Sequence, residues 1–446
     1  MPNRRRFSSE LAKTLALASP IVAGQVGQML MGLVDTLMVG HVGTNSLAAA
    51  AFANSLMSVA FVFGIGVLTS VGILASRAHG AGMDRHKQVI LCSSLWLSVT
   101  VGVVLATVLT LAMPWLALFR QPEAVLSQAK PFMAILSWSL VPALVFISSK
   151  SFSEAVSRAL VPALMMYLGV ALNVFLNWVL IFGNLGAPAL GLEGAGWATL
   201  ISRIVTMTGT LLFCVRVTGS DFSILWPGLL SLPTINSLVR IGLLTGFQYL
   251  AEVGAFAFAA ILMGWIGTAA LAAHQIAITC AATTFMFPLG ISQAVAVRIG
   301  QAVGAGNHEL IRVIGLGGLC LSGLIMAFFA FIYAILGHSI ANSFNSDPGV
   351  VGLTADLLLI AGIFQIADGV QVTAMGGLRG LADVRVPMIF AFTFYWLCAI
   401  PIGYLAAFVF KAGAIGIWCG LATGLFIAAI TLTTRFCLLT ANFFRH

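Results

Sequence analysis

Charge is what this sequence has least of. Asp, Glu, Lys and Arg together make up 8% of its 446 residues, and only thirteen residues are acidic. A soluble domain carries roughly 25% charged residues, so a water-soluble globular fold is excluded at the outset. Cysteine is thin as well. Cys92, Cys214, Cys280, Cys320, Cys398, Cys419 and Cys437 stand singly, without metal-type spacing, and read as small buried hydrophobes. The basic lead-in MPNRRRFSSELAK runs into an apolar stretch that no small-residue cleavage site closes, so a retained helix is expected there. Neither a GxGD-like acid nor a Ser/His pairing is present, which leaves an intramembrane hydrolase without its chemistry. The scattered Met and Phe residues form no cofactor box, and no cofactor is expected.

What the sequence has in excess is apolar length. Sixty per cent of it is hydrophobic, and the mean hydropathy is +1.06. Twelve segments are long enough to span a bilayer, near 14–40, 46–76, 89–118, 126–149, 160–183, 194–218, 238–263, 270–300, 309–338, 352–377, 386–410 and 414–438. The expected fold is an all-α polytopic membrane protein whose main partner is the lipid bilayer. With the N-terminus cytoplasmic, seventeen Lys and Arg residues fall inside and three, Arg120, Lys130 and Lys411, fall outside. The positive-inside rule then places both termini in the cytoplasm. The net charge of +8 is thereby explained without a nucleic-acid partner.

The chain also repeats itself. Residues 40–82 match residues 264–306 at fifteen of 43 positions without a gap, an offset of 224. Pro162 against Pro387, and GAG at 194–196 against AIG at 414–416, continue the match more weakly. Each half holds six spans, so both enter the membrane in the same direction and are expected to be related by a twofold axis along the membrane normal. The expected division is an N-terminal six-helix lobe at 1–218, a cytoplasmic linker at 219–237 and a C-terminal six-helix lobe at 238–446.

Three acids lie inside spans, and the other ten lie in or near loops. In the first helix, Gln25, Gln28, Gly32 and Asp35 share one stripe at helical spacing. An acid turned to lipid at mid-membrane costs about 2.5–3.5 kcal/mol, so Asp35 is expected to face protein or water. The competing reading is an Asp near a helix end that reaches headgroup water. Asn173 and Asn177, one turn apart, and Thr199 supply oxygen-rich neighbours for a pocket around Asp35, or else make ordinary interhelical hydrogen bonds. Arg203, one turn past Thr199, is the single cation well inside a span, free to pair with a carboxylate or to snorkel. In the second half Glu252 has Gln248 on its face, and Asp368 has Phe364 and Gln371 on its own. These acids are expected to line a wet cavity or bind a cation. The offset sets Glu252 on Gln28 and Ala259 on Asp35, so the halves share a scaffold but carry acids at different depths.

The segments MGLVDTLMVGHVG at 31–43, LNVFLNWVLIFGNLGAPALGLEGAGWAT at 172–199, HQIAI with FMFPLGISQAVAVRIGQAVGAG within 274–306, and DGVQVTAMGGLRGLAD at 368–383 resemble the multidrug and toxic-compound extrusion (MATE) family, NorM-like branch. The resemblance covers nearly the whole chain. It implies two six-helix bundles and efflux of amphipathic or cationic drugs in exchange for Na+ or H+, by a monomer in the bacterial inner membrane. It assigns Asp35, Asn173, Asn177 and Thr199, with Gln28 and Arg203 nearby, to a transport or proton-linked site in the first half. Glu252 and Asp368, with Gln248, Phe364 and Gln275, are assigned to a cation-coupling site in the second, where Glu252 and Asp368 would hold Na+. Phe364 stands where the family often has Tyr, which removes a hydroxyl ligand. A lipid-linked-saccharide flippase of related fold is the alternative, and it would be expected to carry several cavity cations.

Overall fold

The computed structural model describes residues 4–219 and 227–442. Twelve helices are long and apolar enough to cross a membrane. The first six are α1 (Arg4–Gly40), α2 (Thr44–Gly80), α3 (Asp84–Ala112), α4 (Glu123–Ala155), α5 (Leu160–Phe182) and α6 (Leu192–Val217). The second six are α7 (Leu232–Ile266), α8 (Thr268–Gly304), α9 (His308–Phe344), α10 (Pro348–Gly380), α11 (Arg385–Val409) and α12 (Gly413–Asn442). No strand occurs among the described residues. The fold class is the one expected from the apolar segments.

The repeat survives in the backbone. Gly43 and Gly267, 224 residues apart, open α2 and α8 with φ of 152° and 151°, a conformation that side chains with a Cβ avoid. Gly82 and Gly306, at the same offset, close those helices with φ of 67° and 68°. Each half therefore turns at the same places by the same means.

Contacts divide the chain into two compact units, Ala23–Gly246 and Met1–Val22 with Phe247–His446. Both boundaries cut through continuous helices, α1 and α7, whereas the repeat alone suggested lobes at 1–218 and 238–446. Residues 220–226 of the expected linker at 219–237 lie outside the described residues. The rest of that linker is shorter than expected: α7 is helical from Leu232, with Pro233 in its first turn, where an N–H has no helical partner to lose.

Within the Ala23–Gly246 unit α4 is central, packing against α2, α3 and α6. Its inner face buries Leu140, Leu144 and Phe152. Small hydroxyl residues let the helices approach, as where Ser148 donates to Ser94 at 3.0 Å. In the other unit α10 has the corresponding place, against α8, α9 and α12. Leu33 and Leu37 on α1, Phe328 and Phe331 on α9, and many other large apolar side chains point outward, as a lipid-facing surface requires.

Three charged residues reckoned near loops are instead buried on helix ends. Arg298 of α8 donates to the carboxylate and the backbone carbonyl of Glu10 and to Thr14 Oγ1. Glu154 lies 3.7 Å from Lys150 Nζ, which also donates to Gln25 Oε1 at 3.3 Å. Arg379, 2% exposed, stacks over Tyr249 with 5.3 Å to the ring centroid and donates to its hydroxyl at 3.0 Å. The physical reason is length. A 37-residue helix such as α1 runs roughly 55 Å against an apolar core of about 30 Å, so its polar ends extend past the hydrocarbon and are covered by neighbouring helices. Cys320 and Cys419 are exposed, against the expectation that all seven thiols are buried.

One helix is irregular. In α11, two π-helical segments, Thr393–Ala399 and Leu405–Val409, interrupt the α-helical winding. The first of them carries Tyr395.

Candidate functional site

The Ala23–Gly246 unit carries a cavity of about 440 Å³ bordered by α1, α2, α4, α5 and α6. Its wall is mostly apolar, with Met31, Met57, Phe61, Phe132 and Phe146 prominent. Gln28, Gly32 and Asp35 reach it from α1, so the stripe read from helical spacing is the face that turns inward. Gln25, on the same stripe, instead accepts from Lys150.

Asp35 is held by three neutral groups from two helices. Asn177 of α5 donates through Nδ2 to Asp35 Oδ1 at 2.7 Å, and through its other hydrogen to Asn173 Oδ1 at 3.1 Å. The Thr199 hydroxyl on α6 lies 3.2 Å from Asp35 Oδ2, and Asn173 Nδ2 donates to that hydroxyl at 3.4 Å. Both amides are fully buried. The i, i+4 spacing of the two Asn residues puts them on one helical face, which makes the chain of bonds possible. A helix-end Asp reaching headgroup water would not need this support. Arg203 borders the same cavity but makes no ion pair among the described residues.

A second polar cluster lies in the unit that includes Phe247–His446. The Tyr395 hydroxyl of α11 lies 3.2 Å from Glu252 Oε1 on α7 and 3.1 Å from Gln371 Oε1 on α10. Asp368, one turn before Gln371, is buried and accepts no hydrogen bond among the described residues. Gln248, one turn before Glu252, places Nε2 2.5 Å from Met375 Sδ and leaves Oε1 buried without a partner. Several oxygens with free lone pairs therefore lie close to two carboxylates.

Two residues assigned to this cluster make no hydrogen bond to its acids among the described residues. Phe364 is buried against Trp418, 5.4 Å between ring centroids, and Trp418 in turn donates to His274 Nδ1 at 3.1 Å. Gln275 is exposed, and its side chain makes no hydrogen bond among the described residues. Tyr395 was not singled out from the sequence. Its one signal there was rarity, since the chain has only five tyrosines and most of them lie elsewhere.

The MatE family model matches residues 20–179 and 245–405, one match in each half of the repeat. A probable multidrug resistance protein NorM of Mesorhizobium japonicum is 35% identical over 96% of this chain and 94% of its own length. The chain belongs to the MATE family. A second NorM relative of this MATE chain, from Pseudomonas syringae pv. tomato, is 36% identical over 98% of the chain and 96% of its own length. Among solved structures, the MATE transporter VcmN of Vibrio cholerae in the bent form superposes with a TM-score of 0.89 at 21% identity, covering 99% of both chains. A transporter of the MOP superfamily from Pyrococcus furiosus gives 0.87 at 20% identity, covering 97% of this chain and 96% of that one. These likenesses establish the MATE fold, and membership of the family makes the chain a multi-pass membrane transporter and not an enzyme.

Proposed function

We propose that this MATE chain expels amphipathic or cationic organic compounds across a bacterial inner membrane, in exchange for Na+ or H+, by alternating access. The observation that carries this reading is the placement of Asp35 in a cavity of about 440 Å³ with Met and Phe walls. Aromatic and thioether surfaces accept varied apolar frames without demanding one shape, and a single carboxylate selects for positive charge. The names of the NorM relatives agree with drug export. The cavity wall carries one cation, Arg203, which fits this reading better than a carrier of lipid-linked saccharides.

The ion is assigned to the second cluster. Two carboxylates in low-dielectric surroundings repel each other, and a proton or a sodium ion held between them relieves that repulsion. The unpaired oxygens of Asp368 and Gln248 suit a cation, and Tyr395 offers the hydroxyl that Phe364 lacks. Exchange requires ion and drug to favour different conformations, so each weakens the other by the same factor, a coupling of about 1–3 kcal/mol. The charge asymmetry of the loops supports a chain with both termini cytoplasmic, and no second copy is needed to complete either site. The test is ethidium efflux from proteoliposomes with a sodium gradient and a proton gradient imposed separately. Efflux driven by neither would overturn antiport.

A further inference from the structure

Arg379 has no task in the reading above, although it is a cation buried in the same unit as the two carboxylates of the second cluster. It forms no ion pair among the described residues. Its Nη1 donates to the Tyr249 hydroxyl at 3.0 Å, while its Nε is buried without a partner. A guanidinium stays protonated inside a protein, and taking one out of water is costly unless a charge of opposite sign offsets it. The acid nearest in sequence cannot do so, because Asp383 is paired with Arg435 at 2.6 Å.

The facing helices bring this charge toward the acids. Between α7 and α10, Tyr249 meets Arg379 and Gln248 meets Met375, while Glu252 and Gln371 share the Tyr395 hydroxyl. Along α10, Arg379 stands two turns from Gln371, with Met375 midway. Along α7, however, Tyr249 precedes Glu252 by three residues, so the guanidinium stacked on its ring, 5.3 Å from the centroid, lies about one turn from the carboxylate. Among the described residues Arg379 is the cation whose charge acts on Glu252, whereas Asp368 feels Glu252 and no cation. Other titratable groups on the helices packed against α10 are engaged: Arg298 with Glu10, His274 with Trp418, and Tyr333 with the Cys280 carbonyl.

We propose that Arg379 is the resident counter-charge of the second cluster, balancing one of its two carboxylates so that a single monovalent cation completes the site. This rests on the assignment of the ion to that cluster, and it names how many ions the site takes. With both acids ionised and Arg379 charged, one negative charge is left over, and one sodium ion or one proton removes it. Without Arg379 two negative charges would remain, so the site would hold its ion more tightly and admit a second. Neutralising Glu252 has the opposite effect, because Arg379 then balances Asp368 and no ion is called for. Arg379 is thus a positioning residue, which sets the demand for an ion through Glu252.

The experiment measures ethidium binding to the purified full chain in detergent by fluorescence polarisation, titrated with sodium at fixed pH and then with protons in the absence of sodium. The parent is expected to respond with a Hill slope of about one. In Arg379→Gln the midpoint should move to lower ion concentration by about tenfold or more, the size expected when a nearby unit charge is removed at an effective dielectric of about 20, and the slope should steepen. Arg379→Lys keeps the charge, so its midpoint should stay within about threefold of the parent. The decisive comparison is a charge rescue. Glu252→Gln should be flat, and adding Arg379→Gln to it should restore a response of about fivefold or more, which a residue needed only for packing would not do. A midpoint in Arg379→Gln within twofold of the parent overturns the proposal, and so does a double variant that stays flat. If neither Gln variant folds, a tenfold shift in Arg379→Lys overturns it, since shape and not charge would then be at work. A parent whose dye affinity ignores both sodium and protons removes the ion assignment itself, a result distinct from a parent that responds and an Arg379→Gln that responds identically.

Discussion

The two acidic clusters are built on corresponding helices, and their acids are partnered differently. In the first half the acid is on the opening helix, α1, and its partner Asn177 is on α5. In the second half the acid Glu252 is on α7 and its partner Tyr395 is on α11, the helices that the repeat matches to α1 and α5. Asp35 is one carboxylate with both oxygens engaged by neutral groups, beside a roomy apolar cavity. Glu252 shares its hydroxyl partner with Gln371 and has a second carboxylate, Asp368, in the same cluster with no hydrogen bond of its own. The repeat supplies the scaffold, and the side chains placed on it differ between the halves.

The largest effect is expected from removing the charge of the second cluster. In Glu252→Gln and Asp368→Asn, drug affinity titrated against sodium at fixed pH, and against pH without sodium, should become flat, where the parent should respond about 5- to 150-fold. A response in both variants as steep as in the parent would move coupling to Asp35 and dissolve the contrast between the sites. Next in size is Asp35→Asn. It keeps the shape of the side chain and removes a charge from the membrane, so the variant should insert and express normally. Its affinity for a cationic dye should fall by about tenfold or more, since hydrogen bonds to charged groups contribute about 1.5–3 kcal/mol. Parental efflux in this variant would restore the helix-end reading of Asp35.

Smaller effects sharpen the comparison. Tyr395→Phe removes one hydroxyl from the second cluster and should weaken the ion response by about fivefold, near 1 kcal/mol, with dye affinity in the absence of ion held close to parental. Equal losses in both measurements would make Tyr395 a packing residue. Phe364→Tyr tests the same hydroxyl from the other side: because Phe364 packs against Trp418, it should not raise sodium sensitivity. The smallest effect on transport is expected from single cysteines at Asp84 and Asn45, which should label from opposite sides of the membrane with an impermeant reagent. Labelling from one side would break the orientation on which both halves depend.

The twelve helices and their repeat were legible because bilayer thickness imposes a length on every span, and length is written directly in the sequence. The Asp35 cluster was legible for a local reason: Asn173 and Asn177 sit at i, i+4, and an acid among apolar residues announces its cost. Glu10, Glu154 and Arg379 were harder to place because hydropathy marks where a span stops being apolar, whereas burial depends on which neighbour covers the helix beyond that point. The units defined by contacts, with boundaries inside α1 and α7, were invisible for the same reason, since a helix does not change composition where it changes neighbours. Phe364 drew attention to a missing hydroxyl, but the hydroxyl found beside Glu252 comes from a helix whose winding cannot be read from its residues.

That winding has a meaning for how such a site can arise. α5 contains 23 residues, while its counterpart α11 takes 25 from Arg385 to Val409. Each π segment absorbs an extra residue without breaking the helix. α11 thus has two more residues than α5 and two π segments, whereas α5 is a continuous α-helix. A π turn takes up its extra residue locally, so it re-aims the side chains within it while those beyond keep their faces. It is a cheap way to give one half of a duplicated molecule a group that the other half lacks. Deleting Phe394 would take the extra residue out of this turn and should move the Tyr395 hydroxyl away from Glu252 Oε1.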